Sequence, residues 1–82
     1  MEPVDVIEVR HVREYVVWVK FEDGTSGEVD LSGSLRGPVF EPLRNVDYFK
    51  QVSVDPEIGT IAWPNGADIA PDTLYARVQV PV

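Results

Sequence analysis

The dipeptide Asp23-Gly24, between two segments with strand patterns, is the feature that most constrains the fold. Residues 15–21 carry apolar side chains on both alternating faces, which is typical of a central strand whose second face is partly covered. Residues 26–31 then run back, with Val29 and Leu31 on the inward side. Asp-Gly at such a position favours a type I′ turn, in which both central residues take positive φ. The pattern therefore predicts an antiparallel hairpin over residues 15–31.

Further strand patterns lie on both sides of this hairpin. Residues 4–12 are rich in β-branched side chains and lose strict alternation at Val6-Ile7, which predicts a bulged first strand and a three-stranded meander. Residues 52–55 and 60–63 flank a turn that begins with Pro56 and ends with Gly59, which predicts a second hairpin. We therefore expect an antiparallel sheet of about five strands, with the strand order left open.

Two short helices complete the predicted domain. Asn45 is a suitable N-cap for a helix over residues 46–50, after one helical turn limited by Pro42. Pro71 suits the first position of a last helix, whose buried face includes Tyr75, and residues 79–82 are expected to be a tail. The fold class is α+β: a small antiparallel sheet, formed by an N-terminal meander plus a C-terminal hairpin, with one or two short helices packed on it.

Length and composition limit the possible functions. The 82 residues predict a single domain, 1–82. The chain has no cysteine, which excludes disulfides, thiolate metal sites and a cysteine nucleophile. No apolar run approaches about 18 residues, so no membrane span is expected. The acidic N-terminus lacks the form of a signal peptide, and the expected location is cytoplasmic.

The charge balance is acidic, with 14 Asp and Glu against 7 Lys and Arg and a formal net charge of -7. Such a field repels phosphate backbones, so nucleic-acid binding by this domain alone is not expected. The negative charge has two interpretations. The first is that it serves only to keep the domain soluble, and the second is that part of it forms an acidic face that docks on a small basic protein.

The stretch 61–72 is the strongest candidate for a functional surface, because it combines a strand end, a Pro-Asn-Gly turn and a helix start. Trp63, beside Pro64, is the candidate for partial exposure. The predicted binding residues are Trp63, Asn65, Asp68 and Tyr75. The aromatic residues are expected first in the core, and an interface role is their less favoured alternative.

Catalytic and metal-binding interpretations of the polar residues are weaker. Asp68 and Asp72 lie four residues apart and could serve acid–base or metal chemistry. Their structural interpretation, turn and helix-start stabilisation, is favoured. His11, the single histidine, has no nucleophile at a recognisable spacing, so no catalytic triad is predicted. No catalytic residue, metal site or cofactor is predicted, and an enzyme is the less favoured class.

Several motifs are shared with a known family. The matching stretches are IAWPNGADI at 61–69, PDTLY at 71–75, FEDG at 21–24, Asp30, GPVFEPL at 37–43 and Phe49. Over about residues 4–75 the chain resembles the bacterial domain-of-unknown-function family 2442. The resemblance implies a small α+β domain and carries over no catalytic residue. Some relatives have a helix-turn-helix domain after it, and others are encoded beside a small partner protein in a toxin–antitoxin-like arrangement.

Two functional hypotheses follow. The first is a non-catalytic protein-interaction module, the acidic antitoxin-like partner of a small basic protein. The alternative is a small-molecule-sensing or enzymatic domain that uses the polar turn around Asp68. Exposed edge strands in so small a sheet would also allow a homodimer.

Overall fold

The N-terminal half folds into a three-stranded antiparallel sheet in the order β1-β2-β3. The computed structural model describes residues 4–79. The strands are β1 (Val6–Arg13), β2 (Val16–Phe21) and β3 (Ser26–Asp30). The expected bulge is confirmed, because the register with β2 shifts between Val6 and Glu8, and a second shift follows between His11 and Arg13. The predicted meander is therefore present.

The turn between β2 and β3 differs from the expected type I′ turn. Gly24 has a φ of 90°, but Asp23 does not take a positive φ. The Gly24 N–H donates to Phe21 O at 3.0 Å, and the Phe21 N–H donates to Thr25 O at 2.8 Å. These bonds enclose a three-residue loop, which is the arrangement of a type I turn closed by a left-handed glycine. In such a loop only the glycine takes a positive φ, and Asp23 does not need one. Asp23 Oδ1 accepts the Thr25 N–H at 2.9 Å, which adds a side-chain bond within the loop.

The second hairpin is formed by β4 (Ser53–Asp55) and β5 (Thr60–Ala62). The five expected strands are present, but they form two sheets instead of one. β1 lies against the second hairpin, and the Val6 N–H donates to Gly59 O at 2.9 Å. With its helices, the chain has the α+β class that the sequence predicts.

The helices are short. Two 3₁₀ helices, Ser32–Ser34 and Glu41–Arg44, lead to α1 (Val46–Phe49), and α2 (Pro71–Gln79) ends the described chain. Asn45 caps α1 as expected, because its side chain accepts the Asp47 N–H at 2.9 Å. Pro71 is the first residue of α2, also as expected. The predicted tail begins too early, since Gln79 belongs to α2, and residues 80–82 lie outside the described residues.

One apolar core joins both sheets and α2. The inner face of β2 is completely buried, and Val78 of α2 packs against β3 at Gly27. The buried cluster consists of Val6, Val17, Val19, Phe21, Val29, Leu31, Leu35, Leu43, Phe49, Ile61, Trp63, Ala67, Ile69 and Leu74. Across residues 4–79, no helix is both long enough and apolar enough to pass through a bilayer.

Candidate functional site

The turn after β5 is held by its own backbone. The Gly66 N–H donates to Trp63 O at 3.0 Å, and the Trp63 N–H donates to Ala67 O at 2.9 Å. Gly66 has a φ of 88°, a conformation that side chains with a Cβ rarely adopt. Asp68 then forms an antiparallel bridge with Ala62. The segment is thus a tight hairpin-like connection between β5 and the approach to α2.

Trp63 is only 4% exposed, so the partial exposure suggested for it is wrong. Its indole N–H donates to Phe49 O at 2.9 Å, and the two rings lie 5.5 Å apart. A buried indole N–H needs a partner, and the Phe49 carbonyl at the end of α1 accepts it in addition to the Val52 N–H. Trp63 therefore fastens α1 to the turn from inside the core.

Asn65 is exposed, but both ends of its amide are engaged. Nδ2 donates to Val39 O at 2.8 Å, and Oδ1 accepts the Ala67 N–H at 3.0 Å. The second bond is the local turn chemistry that Asn favours. The first bond joins the turn to the loop that precedes the second 3₁₀ helix, which gives Asn65 a structural role.

Asp68 and Asp72 are both exposed, but they have different surroundings. Asp68 presents its carboxylate from a backbone fixed by the bridge to Ala62. Asp72 Oδ1 accepts the Thr73 N–H at 3.0 Å, which stabilises the start of α2. Within residues 4–79, no group of three or more His, Cys, Asp or Glu residues is placed to hold a metal ion.

Tyr75 lies in a different cluster from Trp63. Its ring contacts Phe21 edge-on at 4.9 Å, and its hydroxyl donates to Asp23 Oδ2 at 2.6 Å. Trp63 instead belongs to the cluster of Phe49 and Tyr15. Tyr15 precedes β2 and Phe21 ends it, a separation of roughly 20 Å along an extended strand. The four predicted binding residues are therefore divided between the two ends of β2.

Two carboxylates have lowered pKa values. The Tyr75 hydroxyl, followed by the Thr25 N–H, holds the pKa of Asp23 below its usual range. The Ser32 backbone N–H lowers the pKa of Asp30, helped by the Ser32 hydroxyl and by Arg13 and Arg77. Each hydrogen bond favours the charged carboxylate. Both side chains therefore stay ionised to a lower pH than an ordinary Asp side chain does.

The structure also brings together a group of carboxylates that we call the acidic end. Its members are Asp5, Glu22, Asp23, Asp55 and Glu57. The Glu22 N–H donates to Asp5 O at 2.9 Å, and the Asp5 side chain lies beside Gly59 in the β4–β5 turn. Residues 4–6, 21–26 and 55–60 contain no Lys or Arg.

The acidic end was not predicted from the sequence. The signal was the presence of acidic residues before β1 and in both hairpin turns, but its meaning depends on which turns meet. Sequence pattern gives neither the packing of β1 against the second hairpin nor the position of Asp5 beside Gly59.

The fold and these surfaces define a small α+β domain with one strongly acidic end and a closed, internally bonded turn after β5. The chain belongs to the family described as "Protein of unknown function (DUF2442)", which matches residues 6–79 and confirms the resemblance seen in the motifs. No curated protein and no solved structure is significantly similar to it.

Proposed function

We propose that this domain is a non-catalytic protein-interaction module, the acidic antitoxin-like partner of a small basic protein in the bacterial cytoplasm. The observation that carries the proposal is the acidic end, where three segments meet that carry five carboxylates and no Lys or Arg. Tyr75, one of the predicted binding residues, touches this surface through Asp23.

The acidic end is suited to a basic partner for two physical reasons. Complementary charge accelerates encounter and rejects wrong partners more than it adds affinity. Two of the carboxylates are also held in place, since Asp55 Oδ1 accepts the Glu57 N–H and Asp23 is bonded to Tyr75. Fixed side chains lose less conformational entropy when a partner binds.

Co-expression with the product of the neighbouring gene tests the proposal. We expect the wild-type domain to retain that product, and the double variant Glu22→Lys/Glu57→Lys to bind it roughly tenfold more weakly or worse. Glu14→Lys is the control, because it makes one such Glu→Lys change in the turn at the opposite end of β2. The proposal fails if no product is retained, or if Glu14→Lys weakens binding as much as the double variant does.

The second candidate is a small-molecule-sensing or enzymatic domain that uses the turn around Asp68. It is favoured by the exposed Asp68 carboxylate between two buried residues, Ala67 and Ile69. Amide NMR shifts of residues 63–72, followed during titration with metabolites and divalent cations, would test it. Resonances that stay unmoved across the panel would count against this function.

A further inference from the structure

The three-stranded sheet has an outer face that no described element packs against. The core side chains of β2 are Val17, Val19 and Phe21, so Val16, Trp18 and Lys20 project to the other side. The helices contact the inner face: Val78 of α2 meets Gly27, and Phe49 of α1 contacts His11. Gly27 and His11 are the register partners of Val19 and Val17, which places them on the inner side.

The outer face has a regular arrangement of charges across the strands. One row reads Arg10, Trp18 and Glu28, from β1 through β2 to β3. The next row reads Arg13, Val16 and Asp30. These two rows thus carry a cation on β1, an apolar side chain on β2 and an anion on β3, whereas the third row reads Glu8, Lys20 and Ser26.

The charged groups of these rows are accessible to a partner. The side chains of Arg10, Arg13 and Glu28 are 73%, 64% and 51% exposed, although Arg10 pairs with Glu8 and Arg13 with Glu28. Exposed pairs of this kind contribute little to stability, so they can exchange partners at small cost. Trp18 lies under Arg10, with the guanidinium 5.3 Å from the ring centre.

This pattern is self-complementary under a two-fold rotation. An axis parallel to β2 and lying above the face places β1 of one copy over β3 of the other. Arg10 then faces Glu28 of the second copy, and Arg13 faces Asp30 of the second copy. Trp18 meets its own counterpart on the axis, whereas Val16 is only 9% exposed and contributes little contact. Such an isologous contact needs one surface that satisfies itself.

We propose that the outer face of the three-stranded sheet binds a second copy of this chain, and that the domain forms a homodimer through it. The occupant follows from the charge pattern, because a partner of one sign would meet repulsion from either β1 or β3. A second copy meets attraction along both strands. This interface is separate from the acidic end and does not depend on the proposed function.

The size of the face sets the strength of the dimer. With strands about 4.8 Å apart and about 3.3 Å per residue, the face measures roughly 15 by 17 Å. That is well below the roughly 800 Å² per partner of a standard interface. The two-fold axis also brings Lys20 close to Lys20 of the second copy. We therefore expect a weak dimer with a Kd on the order of 100 µM.

Sedimentation velocity from about 10 µM to about 1 mM at low salt tests the proposal. We expect the wild-type sedimentation coefficient to rise from the monomer toward the dimer value. Arg10→Glu and Glu28→Arg should each remain monomeric, because each places like charges opposite one another. An equimolar mixture of the two variants should associate again, since Glu at position 10 then faces Arg at position 28, and Arg10 faces Glu28.

Arg36→Glu is the control, because it reverses one exposed charge outside the outer face and should leave association unchanged. Circular dichroism establishes that each variant is folded. A wild type that stays monomeric at the highest concentration would overturn the proposal. So would single variants that associate like the wild type, or a mixture that stays monomeric.

Discussion

At the scale of single residues, the hydrogen bond of one polar atom explains the position of Trp63. Its indole N–H reaches a backbone carbonyl 14 positions earlier in the chain, and the ring is buried as a consequence. The strand predicted over residues 60–63 extends one residue beyond β5, which ends at Ala62, and the sequence did not indicate the bond to the Phe49 carbonyl. The residue is best understood as the internal support for a turn whose exposed members are Asn65 and Asp68.

Trp63→Phe should lower the free energy of unfolding by about 1–3 kcal/mol, because Phe49 O loses one of its two donors and the smaller ring leaves a void. Urea unfolding followed by circular dichroism measures the change. Trp18→Phe is the matched control, since Trp18 is only half-buried on the outer face, and we expect a smaller loss there. Equal losses at both positions would contradict this account of Trp63.

Asn65→Asp tests the bond between the turn and the preceding loop. The substitution keeps an acceptor for the Ala67 N–H but removes the donor to Val39 O and places a carboxylate near that carbonyl. We expect a loss of about 1 kcal/mol in urea unfolding, the usual net value of one hydrogen bond. Asp68→Asn, the reciprocal change three residues later, should be nearly neutral. A neutral Asn65→Asp would show that the bond to Val39 contributes nothing.

At the scale of elements, α2 is joined to the meander along its length. Tyr75 bonds Asp23 at the β2–β3 turn, and Arg77 Nη1 donates to Asp30 O at 3.1 Å. Gly27, which lies between Asp23 and Asp30 in the chain, has no side chain, and Val78 of α2 packs against it. The last helix therefore packs on β3 at Gly27 and forms a polar contact on each side of it.

Gly27→Ala should destabilise the domain by about 1–3 kcal/mol, because the new Cβ would lie 3.0 Å from Val78 Cγ1 in a packed region. Thermal or urea unfolding gives the difference. Gly33→Ala is the control, since a Cβ there meets nothing within 4 Å, and it should be neutral or slightly stabilising. If Gly27→Ala is as harmless as its control, α2 does not pack on β3 as closely as described.

The bond between Tyr75 and Asp23 should make stability depend on acid pH. The pKa of Asp23 is lower in the folded chain than in the unfolded chain, where the pKa of an Asp side chain is about 3.9. Its stabilising effect is therefore complete above the unfolded pKa and is lost as the pH falls through the folded pKa. Tyr75→Phe should be less stable than wild type at neutral pH, and the difference should shrink in strong acid.

Urea midpoints at neutral pH and near pH 2 measure this effect for wild type and Tyr75→Phe. Tyr48→Phe, a half-buried tyrosine in α1, serves as the control and should show a difference that does not change with pH. A Tyr75→Phe difference that is constant across the range would mean that the hydroxyl does not stabilise the charged carboxylate.

At the scale of the whole molecule, local rules predicted local structure well. Asp23-Gly24, Asn45 and Pro71 each act within a few residues, and the hairpin, the α1 cap and the start of α2 were placed correctly from them. Even the wrong turn type left the hairpin intact, because Gly24 alone supplies the positive φ that a three-residue loop needs.

Contacts between distant residues could not be predicted in the same way. Tyr75 and Asp23 lie 52 positions apart, and Asn65 and Val39 lie 26 apart. The bond between Tyr75 and Asp23 separates Tyr75 from the other predicted binding residues, and other long-range contacts bury Trp63 and form the acidic end. The division of five strands into two sheets also depends on packing between β1 and the second hairpin, which strand patterns do not specify.

The whole molecule thus presents two surfaces of different chemistry. The acidic end carries one sign of charge and suits a basic partner, whereas the outer face carries both signs in register and suits its own copy. In a chain with a net charge of -7, the outer face proposed for self-association has charges of both signs, whereas the segments of the acidic end contain no Lys or Arg.

The most direct test of the interaction-module function is an NMR titration of the ¹⁵N-labelled domain with the purified product of the neighbouring gene. We predict that the largest amide shifts fall at the acidic end, in residues 5, 22–25 and 55–59 and at Tyr75. The same titration with Glu22→Lys/Glu57→Lys should produce much smaller shifts at equal partner concentration. Shifts confined to residues 63–69, or a spectrum that does not change at all, would contradict the account.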